Sequence, residues 1–159
     1  MTNTPARVAI EFRELRSDDV VAVCRLSETL DPAQRRMVAD NAISIAQGHC
    51  SPDAWMRAIY AGGEPVGFVM LHEGDDVSDG IDCEGPFLWR LMIAGPQQGK
   101  GYGRAAVEQL AAMLRARGAT RLTTSCGQGE GSPEGFYLGL GFRPTGEWYD
   151  DEAELRLDL

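Results

Sequence analysis

At 159 residues, with 43% hydrophobic and 25% charged residues, the chain has the composition of one soluble domain, large enough to bury a core without staples. Its formal net charge of -9, from 15 Lys and Arg against 24 Asp and Glu with no basic cluster, argues against nucleic acid and anionic membrane surfaces as partners. Cys24, Cys50, Cys83 and Cys126 are scattered, with no C-x-x-C pair and only His49 and His72 to help them, so no metal site or disulfide framework is expected and reduced thiols in a cytoplasm are.

The polar, proline-containing stretch 1–7 reads as a loose tail, and no basic start leads into a long apolar run of the kind that marks export. Val8 to Leu15 alternates as a strand. Ser17 and two aspartates then open a helix through about Leu30. Asp31-Pro32 begins a second helix whose apolar face, Met37, Val38, Ala42 and Ile45, runs to the stop at Gly48. Trp55 to Ala61 and Val66 to His72 flank Gly62-Gly63-Glu64, a hairpin signal. Acids then gather at Glu73, Asp75, Asp76, Asp79, Asp82 and Glu84, and later at Asp150-Asp151-Glu152; most are expected to be solvated, and a minority to draw in a cationic substrate. Phe87 to Ile93 is an apolar strand, and a helix from about Gly101 to Arg117 is closed by Gly118. Arg121 to Cys126 reads as a short buried strand, and Ser132-Pro133-Glu134 opens a helix that continues to Gly141. Strands near Arg143 to Tyr149 and Ala153 to Leu159 finish the chain. The order β-α-α-β-β-β-α-β-α-β-β describes an α+β domain, a mixed sheet with helices on both faces, over residues 8–159.

The stretch PQQGKGYGRAAVEQLAAML from Pro96 places a glycine-rich loop between a strand and a helix. A helix start offers unpaired N–H groups and partial positive charge, and glycines let backbone approach a diphosphate. A Walker A loop is excluded, because Gly95 to Gly99 is one residue short and Lys100 is followed by Gly101 rather than Ser or Thr. Gly101-Tyr102-Gly103-Arg104-Ala105-Ala106 matches the dinucleotide fingerprint G-x-G-x-x-A, yet a hairpin rather than a parallel βαβ unit precedes it.

Gln98-Gly99-Lys100-Gly101-Tyr102-Gly103 also fits Q-x-x-G-x-G, and Phe136-Tyr137-Leu138-Gly139-Leu140-Gly141-Phe142 fits a helix with a tyrosine ending in Gly-Phe. With this pair of motifs on these elements, nearly the whole chain resembles the GCN5-related N-acetyltransferase (GNAT) superfamily. The resemblance implies the GNAT fold, a mostly antiparallel sheet of six to seven strands, with acetyl-CoA as cosubstrate and no metal. Carried over by position, it implies that amides of Gln98, Gly99, Lys100, Gly101, Tyr102 and Gly103 hold the CoA diphosphate, that Lys100 and Arg104 add charge, and that Leu91, Met92 and Ile93 offer backbone to the pantetheine and thioester. Tyr137 matches the tyrosine beside the thioester sulfur.

A narrower likeness joins Phe87 to Ile93, the Gln98 loop and Gly141-Phe142-Arg143-Pro144-Thr145-Gly146-Glu147 to the bacterial spermine/spermidine acetyltransferase-like branch. It implies a small cationic amine such as spermidine as acceptor; a homodimer is a separate expectation for the chain. The chain departs from these patterns at Ala94, where that branch often has an acid, and at Glu130, where many members have asparagine.

Acetyl transfer needs a neutral nitrogen in line with the carbonyl, a donor for the oxyanion and a proton for the thiolate. A strand N–H near Met92 is the expected oxyanion donor and Tyr137 the expected acid. Glu84, Glu147 or a water chain remain open as base, with Glu84 first because it precedes the strand that lines the thioester. Arg90 interrupts an apolar strand and must find an acid or carbonyls, or face water; Trp89 is core or a wall of the acceptor slot. Rival readings are a protein or antibiotic amine as acceptor, and a CoA-binding module without turnover, for which Tyr137 would have no purpose.

Overall fold

A computed structural model describes residues 7–159, so all but the last residue of the predicted tail lies outside the described residues. Seven strands form one sheet in the order β1-β2-β3-β4-β5-β7-β6. They are β1 (Glu11–Arg13), β2 (Ala54–Ala61), β3 (Glu64–His72), β4 (Phe87–Ile93), β5 (Arg121–Cys126), β6 (Arg143–Tyr149) and β7 (Glu152–Asp158). Every neighbouring pair is antiparallel except β4 with β5. The helices are α1 (Val20–Arg25), α2 (Pro32–Arg35), α3 (Asn41–Cys50), α4 (Tyr102–Ala116) and α5 (Glu134–Gly139). Among the described residues no helix is long and apolar enough to cross a membrane.

The sheet has a core on each face. Ile59, Val69, Leu71, Leu88, Leu122 and Leu155 pack with Ala106, Val107, Leu110 and Leu114 of α4 and with Tyr137 and Phe142. On the other face Ala58, Tyr60, Phe68, Met70 and Met92 meet Val23 of α1, Leu30 and Ile45 of α3. Alternation along β3 and β4 feeds the two cores in turn, which is why both strands read as continuous apolar runs.

Two elements depart from the sequence reading. The predicted first strand contracts to the three residues Glu11–Arg13. The predicted second helix is two helices. Asp31 caps α2 with a reciprocal capping box, accepting from the Gln34 amide, but α3 restarts at Asn41 because tertiary bonds capture that residue. The Asn41 amide donates to Ser27 Oγ at 2.8 Å and its side-chain nitrogen donates to the Val23 carbonyl at 2.8 Å. The face that α3 buries is therefore Asn41, Ser44, Ile45 and Gly48, whereas Ala42, read as apolar face, is exposed.

The pairing of β4 fixes the site. On one side it follows β3 from His72↔Phe87 to Gly67↔Ile93, with a register shift that leaves Trp89 as an extra residue between Leu88 and Arg90. On the other side it pairs with β5 only at Phe87↔Thr123 and Leu88↔Thr124. Beyond Leu88 the two strands splay apart. The Thr124 hydroxyl donates to the Leu88 carbonyl at 2.9 Å and closes the bottom of the opening.

Gly67 allows β3 to lie against β4 at this point: a Cβ there would collide with the Met92 carbonyl oxygen and stand 2.9 Å from Ile93 Cδ1. Gly67→Ala is therefore expected to lower stability by about 1–3 kcal/mol, the usual cost of overpacking a filled core. A fall in the urea midpoint at unchanged slope would show it.

Candidate active site

The splay opens a cleft of about 1280 Å³, with β4 on one wall, Ser125 and the β5–α5 loop on the other, and the loop before α4 at one end. A roof crosses it. Cβ atoms at Gly131 and Gly127 would stand 2.7 Å from the Ala33 carbonyl carbon and 2.9 Å from Met37 Sδ, so α2 and the residues after it rest directly on the β5–α5 loop.

Alternation decides which β4 backbone groups face the opening. The Ala94 amide donates to the Val66 carbonyl at 2.9 Å, which makes 66 with 94, 68 with 92 and 70 with 90 the hydrogen-bonded pairs of an antiparallel ladder. Met92 thus turns its N–H and C=O toward β3, as the close approach of its carbonyl to Gly67 also requires. Leu91 and Ile93 turn theirs toward the cleft. The expected donor near Met92 therefore moves to its neighbours: Leu91 and Ile93 are the residues whose amides face the splay, and the Ile93 carbonyl is already taken by Gln98 Nε2 at 3.0 Å.

The glycine-rich loop is braced by the same segment that forms the roof. Gly95, where a Cβ would collide with the Thr29 carbonyl oxygen, donates its amide to Thr29 Oγ1 at 2.8 Å. Gln98 also accepts from Gln34 Nε2 of α2 at 2.8 Å. Beyond this brace Gly99 and Gly101 take left-handed backbone, at φ 77° and 86°, and α4 begins. Among the described residues the amides of 99–104 have no protein acceptor, while Ala105 resumes the helical ladder by donating to the Gly101 carbonyl at 3.0 Å. Six consecutive unpaired donors at the start of a 15-residue helix form a cradle for an anion. Gln98, by contrast, gives its amide to Gly95 at 3.2 Å and serves as a brace. Lys100 Nζ is turned to Gln97 Oε1 at 2.9 Å, and Arg104 is turned to the Gly139 carbonyl at 3.4 Å and to Glu108 at 3.8 Å.

Tyr137 lies midway along α5, 5% exposed, with its ring edge-on to Phe136 and Phe142 at 5.2 Å each. The residue lines the cleft, and its ring packs in the core beneath it. Burial pushes the phenol well above its usual range, opposed by the neighbouring Thr124 hydroxyl, which itself donates to the Leu88 carbonyl. Tyr137 therefore keeps its proton at neutral pH and is a donor.

Glu84 does not join this group. Its side chain is 90% exposed, ion-paired with Arg121 across the loop before β4, and outside the cleft lining. Glu147 lies on the exposed β6 edge, also outside it. The carboxylate that does line the cleft is Glu152. It opens β7 after a two-residue turn in which Asp150 adopts φ 53°, a left-handed conformation that aspartate tolerates, and it pairs with Tyr149. Burial raises its pKa, with Arg90 opposing and the charges of Asp151 and Asp150 adding to the rise. Tyr137 and Arg90 both feel its charge. In the sequence Glu152 belongs to an acidic run that reads as solvated loop; only the hairpin, which turns its last member into a strand residue, separates it from Asp150 and Asp151.

The sequence matches the model of the acetyltransferase (GNAT) family over residues 14–142. No curated protein matches it. Among solved structures, an acetyltransferase from Thermus thermophilus superposes with a TM-score of 0.76 over 96% of this chain and 99% of that one, at 21% identity. The PaiA N-acetyltransferase of Thermoplasma acidophilum, solved with coenzyme A, gives 0.65 over 95% and 99% at 15% identity. N-acetylglutamate synthase of Neisseria gonorrhoeae, solved with coenzyme A and N-acetyl-glutamate, gives 0.68 over 95% of this chain and 35% of that one, at 16% identity. A family match over most of the chain makes this protein a member of the GNAT family, an N-acetyltransferase that uses acetyl-CoA.

Proposed function

We propose that the chain acetylates a small primary amine by direct transfer in a ternary complex, with Tyr137 as acid and Glu152 as base. The observation that supports this most is their placement: the one carries a proton, the other is a carboxylate with raised pKa, and both line the same cleft. Environments that push two groups toward opposite roles mark acid and base. Acetyl-CoA, when bound, supplies the thioester carbonyl that the amine attacks. The amides of 99–104 are the donors available to its diphosphate, and those of Leu91 and Ile93 to the pantetheine and the carbonyl oxygen. Glu152 accepts the proton that an arriving ammonium must lose, and Tyr137 gives one to the departing sulfur. A binding module without turnover would not need a buried, protonated phenol and a half-buried carboxylate in one cleft.

The acceptor end of the cleft supports a cation. Asp79, Asp150, Asp151 and Glu152 line it, and Asp151 is exposed at its rim. In a domain of charge -9 such a rim draws in ammonium groups through a field that salt screens. Polyamines such as spermidine and spermine, to which the sequence resemblance points, belong to this class, as do amino acids.

CoA at a hundred times its dissociation constant should stabilise the protein by about 2.7 kcal/mol, and NADH should not. Gly101→Val should lose that response. The left-handed φ adds a folding cost of about 1–2 kcal/mol, so melts of the variant with and without CoA must be compared with each other. A variant whose melting temperature still rises with CoA would remove the loop from the site.

Tyr137→Phe and Glu152→Gln should act differently. The first should lower single-turnover transfer by about 10² to 10⁴ at all pH values while CoA still binds. The second should also remove a limb of the pH profile. Because its folded pKa is raised, Glu152 takes up a proton at higher pH than a free glutamate, so wild-type kcat/KM falls with falling pH through that value. In Glu152→Gln that acidic limb should vanish, leaving only the limb set by the amine itself. An unchanged acidic limb would assign the base elsewhere.

A further inference from the structure

Among the described residues, five arginines are partly buried: Arg13, Arg57, Arg90, Arg121 and Arg156. Four of them hold a carboxylate within 3.5 Å, from Glu11, Glu14, Glu84 and Glu154. Arg90 holds none. Its NH1 donates to the carbonyl of its own neighbour Trp89 at 2.9 Å and its NH2 to Gln47 Oε1 of α3 at 3.1 Å, both neutral acceptors. The guanidinium leans over the Trp89 ring at 5.4 Å, and Nε is buried with no partner at all. A cation held this way, in a chain with 24 acids to choose from, is left with its charge uncompensated.

Position gives the reason. Trp89 is the bulged residue of β4, and the extra residue brings Arg90 to the α3 face just where the strand leaves β5. Arg90 lines the cleft with Gln47, Trp89 and Glu152. Arg90 and Glu152 feel each other's charge without forming an ion pair. The cleft therefore presents a fork of N–H donors and a carboxylate that are not paired with each other. A guanidinium fork of this kind binds a carboxylate or a phosphate. Glu152, Asp150 and Asp151 repel a dianion more strongly than a monoanion, which favours the carboxylate.

We propose that Arg90 is a specificity-determining residue that binds a carboxylate of the acceptor, and that the acceptor is an amino acid or amino-acid-like zwitterion, its carboxylate on Arg90 and its amine toward Glu152. This rests on the transferase reading above and narrows its cationic class to amines that also carry an acid. Gln47 positions the guanidinium from α3, and Trp89 supports it from below.

The test pairs each acceptor with its uncharged twin. Rates are measured with acetyl-CoA for L-lysine, L-glutamate and L-alanine, each against its α-amide, and for spermidine and O-phosphoethanolamine. At least one acid should exceed its amide by about tenfold or more in kcat/KM, mostly through KM, as the loss of a charge-assisted hydrogen bond requires. In Arg90→Gln that ratio should collapse toward one, and in Arg90→Lys it should be partly kept; a CoA-dependent rise in melting temperature confirms that each variant is folded. Spermidine or an amide as the best acceptor, O-phosphoethanolamine as the best acceptor, or a preference for the acid that survives Arg90→Gln would each overturn the inference while leaving the acetyltransferase reading intact. CoA binding with no transfer to any of these amines would overturn both.

Discussion

The site depends on an interrupted ladder. Strands β4 and β5 pair at two positions and then separate, and everything chemical about the protein follows from the hydrogen bonds that are not made there. A buried strand edge normally has its donors and acceptors satisfied. Here β3 satisfies one edge of β4 except at the Trp89 bulge, with Gly67 allowing the close approach, and so leaves the amides of Leu91 and Ile93 facing the cleft. Thr124 closes the ladder below, Gln98 takes the Ile93 carbonyl above, and the unpaired amides of 99–104 continue the row of donors into the loop.

Bracing makes such a frustrated edge tolerable. Thr29 and Gln34, from the segment between α1 and α3, hold Gly95 and Gln98, so the half of the molecule that roofs the cleft also fixes the loop beneath it. The same segment rests on Gly127 and Gly131 across the opening. Roof, loop and wall form one hydrogen-bonded and packed unit, and a change in α2 would reach the loop before α4 through Gln34.

Much of this is legible in the residues. The hairpin and strands β4 and β5 stand where strand-forming residues between turn signals place them: β3 and β4 as largely apolar runs, β5 as a short β-branched run after the Gly118 stop. The helix that carries Tyr137 is legible too, since its spacing from Gly141-Phe142 is a local signal. The sequence is silent on whatever depends on partners far along the chain. Asn41 interrupts a helical pattern because Ser27 and Val23 capture it. The N–H and C=O of Met92 turn away from the cleft because the ladder phase is set at Ala94 and Val66. Glu84 and Glu152 look alike in the sequence, each an acid at the approach to a strand; Arg121 neutralises the first at the surface, and a two-residue turn lifts the second into the cleft. Arg90 announces itself as a charge in an apolar strand, but that no acid answers it is a fact of the fold.

Amide hydrogen exchange, resolved by residue with and without CoA, tests the interrupted ladder most directly. Without ligand the Met92 amide, bonded to β3, should exchange slowly, and those of Leu91, Ile93 and residues 99 to 104 much faster; CoA should slow the second group and leave Met92 nearly unchanged. Fast exchange at Met92 with protection of Leu91 and Ile93 in the free protein would mean that the ladder has the opposite phase, and that the cleft is not lined as described.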